Sequence, residues 1–180
     1  MRGLGRSGLT AISSGASARC VPAGWAAEPK WDGYRAQLAA CAGGRVLLRC
    51  RQGTDMTASF PENRAVALSQ LPTDIGLDGE LVVWERDRLA FERLQQRLAR
   101  RGSGAAEAAR QWTAHYVIFD LVHAGADLSG WPYERRRAAL EALFRATAWR
   151  RRWRCAPRPP TRLWRKAGWS GRRPGWRGCA

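Results

Sequence analysis

The pattern of hydrophobic and polar residues divides the chain into short segments of two different periods. Alternation of apolar and polar side chains, or a short apolar run rich in β-branched residues, is typical of strands. These patterns predict strands at 34–40, 45–51, 77–84 and 114–122. Gly43 and Gly44 lie between the first two, which predicts a tight turn and an antiparallel hairpin.

A helical spacing of apolar residues occurs in three further segments. It predicts helices at 60–71, 91–100 and 133–144, the first with Pro61 in its first turn and Pro72 after its end. Residues 102–104 are interpreted as a loop because two of them are glycines. Helices and strands alternate, but the first hairpin is antiparallel. The expected fold class is therefore α+β, with antiparallel sheets flanked by helices.

The length of 180 residues and the apolar content of 45% suit one domain with a packed core. Residues 1–23 are rich in Gly, Ser and Ala without a period, and we expect them to be poorly ordered. The domain is expected to occupy 24–144. No apolar run of about 18 residues and no signal-peptide pattern occurs, so the sequence predicts a cytoplasmic protein without a membrane span.

Charge is distributed unevenly along the chain, whose formal net charge is +16. Residues 1–144 contain 19 basic and 15 acidic side chains, whereas residues 145–180 contain 12 basic side chains and no acidic one. The excess therefore lies in the last segment. The basicity of the whole chain is consequently no evidence that the folded part binds a polyanion such as nucleic acid.

The segment EPKWDGYR at 28–35 contains the first candidate chemistry. Lys30 is the only lysine among the first 165 residues of a chain with 29 arginines. Arginine stays protonated, but a lysine that is desolvated or near another cation can lose its proton and act as a nucleophile. Gly33 lets the backbone pass close to a ligand, and Arg35 can hold a phosphate or a ribose. Read alone, K-x-D-G also fits a surface lysine in a loop.

Two later segments contain residues suited to ligand binding. The tripeptide DGE at 78–80 precedes a buried strand, where a carboxylate can bind a ribose or a metal, although D-G is also a common turn. In the strand at 114–122, Phe119 is expected on the opposite face from Ile118 and Asp120, where it could stack on a purine. Taken singly, a turn and a core aromatic are the simpler interpretations.

The order and spacing of these segments resemble the motif series of covalent nucleotidyltransferases, which comprise ATP-dependent DNA ligases, RNA ligases and mRNA capping enzymes. The series is Lys30 in K-x-D-G, Arg51 in a strand–turn near 50, DGE at 78–80 and the aromatic strand at 116–121. The stretches EPKWDGYR, RCRQGTDMTASFPE, LDGELVVW and DLSGWPYERRRAALEALF resemble bacterial ATP-dependent DNA ligases in particular. The resemblance covers residues 24–144 and implies an ATP-grasp-like DNA ligase adenylation domain, incomplete in this chain.

This resemblance implies a reaction and a role for each candidate residue. Lys30 would attack the α-phosphate of ATP, release pyrophosphate and pass AMP to the 5′-phosphate of nicked or broken double-stranded DNA. The other implied roles are an adenine contact for Glu28, sugar and phosphate contacts for Arg35 and Arg51, a ribose contact for Glu80 and adenine stacking for Phe119. Mg²⁺ would neutralise phosphate charge, through ligands that are not identified. The implied setting is DNA repair, recombination or replication at the bacterial nucleoid.

Two motifs of that family are missing from the sequence. The family has a later E-G-hydrophobic motif and then a K-x-K motif whose lysines hold the α-phosphate. Lys166 is the only later lysine and lies in no such pattern. Any surviving activity is therefore expected to be self-adenylylation without nick sealing. Two alternatives stay open: a non-enzymatic ATP- or nucleic-acid-binding remnant, and an RNA ligase or capping-type relative.

The composition of residues 145–180 predicts a shift of reading frame in the gene. Arg, Trp, Pro and Gly, all with G/C-rich codons, dominate this segment. With synonymous codons chosen freely, joining each third base to the next two bases lets 149–162 read L-A-A-P-L-A-L-C-P-A-T-T-D-P and 166–179 read E-G-W-L-E-W-S-A-A-G-L-E-G-L. The second reading ends in the missing E-G-hydrophobic motif. We therefore expect a disordered, out-of-frame tail, an exposed apolar sheet edge and poor solubility.

Overall fold

The computed structural model describes residues 30–147 and 153–155. The strands are β1 Tyr34–Ala40, β2 Val46–Cys50, β3 Ile75–Glu85, β4 Arg88–Leu89, β5 Ala114–Ala124 and β6 Trp153–Cys155. The helices are α1 Pro61–Gln70, α2 Phe91–Leu98, α3 Gly102–Gln111 and α4 Tyr133–Ala146. The sheet order is β2-β1-β3-β5-β6, and β4 forms a hairpin with the end of β3. The segment 1–23, predicted to be poorly ordered, lies outside the described residues.

The central strands pair in the antiparallel manner that the sequence predicts. β1 pairs antiparallel with both β2 and β3, and β3 pairs antiparallel with β5. The hairpin between β1 and β2 turns at Ala42–Gly44, where Gly43 and Gly44 have φ angles of 71° and 72°. Glycine adopts this left-handed conformation without strain. The predicted α+β class, with an antiparallel sheet flanked by helices, is confirmed.

The sheet has two apolar faces of unequal size. On one side, the main core contains the buried strand residues Leu38, Leu48, Leu77, Leu81 and Ile118. Alternation along the strands directs the intervening residues to the other side. There Val82, Val117 and Phe119 form a smaller cluster, against which Trp31 and Leu89 pack. We call this side the second face; it is where the candidate site lies.

Helix α3 corrects the interpretation of residues 102–104 as a loop. Ala105 and Ala108 are 1% and 0% exposed and lie on a helix that contacts α1. Alanine has the highest helix propensity, and its small side chain lets two helices approach closely, which outweighs the two glycines. None of the helices in the described part of the chain is long and apolar enough to span a membrane.

Part of the segment beyond residue 145 belongs to the fold. Strand β6 pairs in parallel with Tyr116–Ile118 of β5. Trp153 is 3% exposed, its ring lies 5.7 Å from that of Tyr116, and its Nε1 donates a 2.9 Å hydrogen bond to Asn63. The prediction of a disordered tail is therefore wrong for these three residues, which pair with part of the β5 edge. Residues 156–180 lie outside the described part.

Candidate functional site

The lysine of the K-x-D-G segment is exposed and lies in the turn that leads into β1. Gly33 closes this turn against β3. A Cβ atom at position 33 would lie 2.1 Å from the carbonyl oxygen of Leu81 and 2.9 Å from Cγ of Glu80. Only glycine permits so close an approach to the neighbouring backbone. The glycine therefore fixes the turn that holds Lys30 beside Glu80.

Glu80 is half-buried and lies directly opposite Arg35 in the ladder between β1 and β3. Burial raises the pKa of the Glu80 carboxyl group above its ordinary value. The charge of Arg35, a hydrogen bond from the Gly33 backbone N–H and the charge of Lys30 oppose this rise. Two cations and one backbone donor therefore act on one carboxylate, and Lys30 lies near enough to Glu80 to interact with it electrostatically.

The guanidinium of Arg35 is held in a fixed orientation. Its Nε and Nη2 atoms donate hydrogen bonds of 2.9 Å and 2.7 Å to the two carboxylate oxygens of Asp78. The side chain of Asp78 is only 9% exposed, so this bidentate pair is partly shielded from water. The guanidinium carbon also lies 4.7 Å from the centre of the Phe119 ring, a cation–π contact. Arg35 thus joins the acidic part of the site to its aromatic part.

Phe119 belongs to the second face, whereas Ile118 belongs to the main core, as the alternation predicts. Phe119 is 8% exposed. Trp31, the residue after the candidate lysine, packs against the same cluster. The indole Nε1 of Trp31 is buried and has no hydrogen-bond acceptor among the described residues. The second face is therefore a buried cluster containing the rings of Phe119 and Trp31, and the charged groups of Arg35 and Glu80 border it.

One predicted residue, Arg51, is not part of this convergence, and a second lies outside the described residues. Arg51 lies in the exposed turn after β2, one residue beyond the pair of Cys50 with Ala36. It is level with Arg35 along the sheet, but within 30–147 and 153–155 it forms no ion pair with the others. Glu28, predicted to contact adenine, lies outside the described residues.

The tripeptide at 78–80 is not a turn and does not precede a strand, because it lies in the middle of β3. The sequence patterns did not indicate a role for Asp78 in the site. It is two positions from Glu80 and therefore lies on the same face of the sheet. Its partner Arg35 is 43 positions away in sequence. Only the register of β1 on β3 brings these two residues together, and the sequence gives no signal for that register.

Carboxylates are too dispersed in the described residues to form a protein cage for a metal. No group of three or more His, Cys, Asp or Glu side chains there is arranged to hold an ion. Mg²⁺ commonly uses one or two carboxylates together with the phosphates of a substrate, so it needs no such cage. Asp32 and Glu80 are near enough to interact electrostatically, and Lys30 also acts on Glu80. The number of carboxylates here is compatible with a magnesium ion that also binds the phosphates of a substrate.

Comparison with known proteins gives consistent matches. The family model described as "ATP dependent DNA ligase domain" matches residues 10–161. DNA ligase C2 of Mycolicibacterium smegmatis is 43% identical over 125 residues, which are 69% of this chain and 35% of that protein. The multifunctional non-homologous end joining DNA repair protein LigD of Mycobacterium tuberculosis is 37% identical over 126 residues, 69% of this chain and 15% of that protein.

A solved structure resembles the fold as well. The structure of mycobacterial DNA ligase D complexed with ATP and MES has a TM-score of 0.55 and 32% sequence identity, and the match covers 76% of this chain and 42% of that one. The chain thus spans well under half the length of the proteins that it matches, which makes it a partial counterpart of their ligase domains.

Proposed function

The chain belongs to the family of ATP-dependent DNA ligases, and from that membership we propose that it transfers AMP from ATP to Lys30. Deprotonated Nζ of Lys30 attacks the α-phosphorus, a P–N bond forms, the P–O bond to the β-phosphate breaks, and pyrophosphate leaves. The observation that carries this proposal is the convergence of Lys30, Arg35 and Glu80 beside the aromatic second face. The attack requires the neutral form of the lysine, because only that form has a free electron pair.

Each of the other candidate residues has a proposed role in binding the nucleotide. Glu80 accepts hydrogen bonds from the ribose, Arg35 and Arg51 bind the sugar and phosphates, and Glu28 contacts the adenine. Phe119 stacks on the adenine. Because Arg35 already contacts the Phe119 ring, the base and the guanidinium must share that ring. Bound through Asp32 and Glu80, Mg²⁺ would supply charge neutralisation at the phosphates.

Nick sealing is not expected of this chain. In the complete reaction, AMP would pass from Lys30 to the 5′-phosphate of a DNA nick, and the 3′-hydroxyl would then displace it. The E-G-hydrophobic and K-x-K motifs are absent from the sequence. Lysines at the α-phosphate stabilise the charge that develops there, so their absence slows even the first step. A substrate of chromosomal DNA would place the protein in the bacterial cytoplasm at the nucleoid, in DNA repair.

A binding experiment tests the nucleotide site apart from catalysis. ATP and GTP are titrated into the full chain with Mg²⁺, and the fluorescence of its tryptophans is recorded. We expect tighter binding of ATP than of GTP, and weaker ATP binding by about tenfold in Arg35→Met and Glu80→Ala, the cost of about 1.4 kcal/mol for a lost hydrogen-bonded contact. Arg110→Met, on the exposed face of α3, is the control. Equal affinity for ATP and GTP contradicts the adenine site.

A second candidate function follows from the charge of residues 145–180. With 12 basic side chains, no acidic one and five tryptophans, this segment suits non-specific contact with nucleic acid through charge and stacking. Such binding would weaken steeply with salt and would be unaffected by Lys30→Ala. AMP transfer that depends on Lys30 separates the two functions.

The reading-frame shift after about residue 145 is also proposed, on the composition of the segment. The fixed Trp codon contributes the bases TG at each of five tryptophans, which gives leucine, methionine or valine in the other frame. Sequencing the gene downstream of codon 145 tests this proposal. The other frame should be open and encode E-G-L and K-x-K motifs, whereas stop codons in that frame contradict it.

A further inference from the structure

The ladder between β3 and β5 has two register shifts, and at the one between Gly79 and Asp78 strand β5 has an extra residue, Phe119. The pairs Gly79↔Ile118 and Asp78↔Asp120 are adjacent on β3 but two residues apart on β5. Phe119 is therefore the unpaired residue of a β-bulge. Ile118 and Leu121 both lie in the main core although they are three positions apart. In a regular strand, residues three positions apart lie on opposite faces of the sheet. The extra residue of the bulge allows both to lie on the same face.

The residue after Phe119 is a buried carboxylate that binds a buried arginine of α4. Asp120 accepts hydrogen bonds from Nε and Nη2 of Arg136, at 2.9 Å and 2.8 Å. Their side chains are 7% and 5% exposed. Arg136 also donates to the carbonyl oxygen of Trp131, just before α4. The pair therefore ties the bulge to the start of α4. A buried ion pair is seldom more stabilising than an apolar pair, so it calls for a reason other than stability.

Phe119 lies between two carboxylate–arginine pairs, one formed by Asp78 and one by Asp120. Asp120 is directly opposite Asp78 in the ladder, and like charges in that arrangement destabilise a sheet. Each carboxylate has its own arginine, Arg35 for Asp78 and Arg136 for Asp120. Arg35 contacts the ring of Phe119, while Asp120 is its neighbour along the backbone. Arg35 thus constrains the ring of Phe119, while the ion pair of Asp120 with Arg136 constrains its backbone.

We infer that Arg136, acting through Asp120, is a positioning residue that holds the bulge at Phe119 and so directs this ring to the second face. The inference rests on the proposed function, because it assumes that the ring serves the adenine of ATP. Without the pair, the extra residue of β5 can move to a neighbouring position, and the side chains between the old and new positions change face. Arg136 itself needs no contact with the nucleotide.

The informative variant replaces both partners, because removal of one leaves a buried charge uncompensated. Asp120→Leu combined with Arg136→Met keeps the volume apolar, and such replacements commonly leave stability unchanged or raise it. In the full chain we expect an unchanged or higher urea midpoint, ATP affinity reduced about tenfold, and loss of the preference for ATP over GTP. The matched control is Glu62→Leu with Arg97→Met, a buried pair that joins α1 to α2. It should leave the ATP-to-GTP ratio unchanged.

The register is measured separately, by NMR contacts between backbone protons of the full chain. The unaltered chain should show the contact between positions 78 and 120, and the Asp120→Leu/Arg136→Met variant should lose it. A variant that keeps this contact, or that binds ATP as the unaltered chain does, overturns the inference. If the unaltered chain binds no ATP, the proposed function fails, and the loss or retention of the register alone decides the positioning role.

Discussion

The ring of Tyr116 lies directly against the backbone of Gly79. A Cβ atom at position 79 would come within 2.7 Å of Cε2 of that ring and 2.5 Å of the Val117 carbonyl oxygen. The Tyr116 hydroxyl, fully buried, donates a 2.8 Å hydrogen bond to the carbonyl oxygen of Ala36. The glycine of the D-G-E tripeptide therefore makes room for a side chain that ties β1, β3 and β5 together.

Replacement of Gly79 by alanine is expected to destabilise the protein by about 1–3 kcal/mol, the usual cost of inserting an atom into a packed site. Tyr116→Phe removes only the hydroxyl and should cost about 1–2 kcal/mol, because it leaves the Ala36 carbonyl without that donor. Urea unfolding measures both. Gly130→Ala is the control, since no atom lies within 4 Å of its added Cβ. Equal midpoints for Gly79→Ala and Gly130→Ala would contradict this packing.

The turn before β1 depends on Gly33 in a similar way, but with a consequence for chemistry. Gly33→Ala would drive a Cβ atom to 2.1 Å from the Leu81 carbonyl oxygen, so the turn must move away from β3. We expect AMP transfer to fall at least tenfold, because a displacement of about 1 Å at a reacting group costs on the order of a hundredfold. Gly104→Ala, with open space around its Cβ, should leave transfer unchanged. Transfer by Gly33→Ala at the unaltered rate would show that the turn does not position Lys30.

The sequence predicts those features that depend on local pattern and fails where distant segments meet. Strands β1, β2 and β5 follow from alternation or apolar runs, and the expected side of Phe119 follows from its neighbours. The pairing of Arg35 with Asp78 depends on register between strands 43 residues apart, which periodicity does not specify. The bulge at Phe119 is likewise invisible, because it appears only when β5 is aligned with β3.

Because Glu80 is half-buried, we expect the free energy of unfolding to depend on pH. The pKa of Glu80 is raised in the folded protein, so above about pH 4.3 the folded state holds a proton that the unfolded state has lost. The free energy of unfolding therefore falls as pH rises through this window, and Glu80→Gln lacks that contribution. Urea unfolding of both proteins over a pH series gives the difference. A difference that is independent of pH, or of opposite slope, would refute the raised pKa.

Because β6 pairs with β5, we expect the side chain of Trp153 to contribute to the stability of the folded protein. Trp153→Phe keeps an aromatic ring beside Tyr116 but removes the donor to Asn63, and should cost about 1 kcal/mol. Trp153→Ala also removes the ring, and should cost about 3–5 kcal/mol. Trp164→Ala, in the segment outside the described residues, is the comparison. If Trp153→Ala unfolds at the same urea concentration as the unaltered protein, β6 contributes nothing to stability.

The most direct measurement of the central claim is transfer of labelled AMP from ATP to the protein. The full chain is incubated with ATP labelled at the α-phosphate and Mg²⁺, then denatured and separated from free nucleotide. We predict slow labelling that is specific for ATP, that is lost in both Lys30→Ala and Lys30→Arg, and that is reversed by added pyrophosphate. We also predict no sealing of a nicked duplex by the same protein. Label that persists in Lys30→Ala, or a sealed nick, would contradict the account.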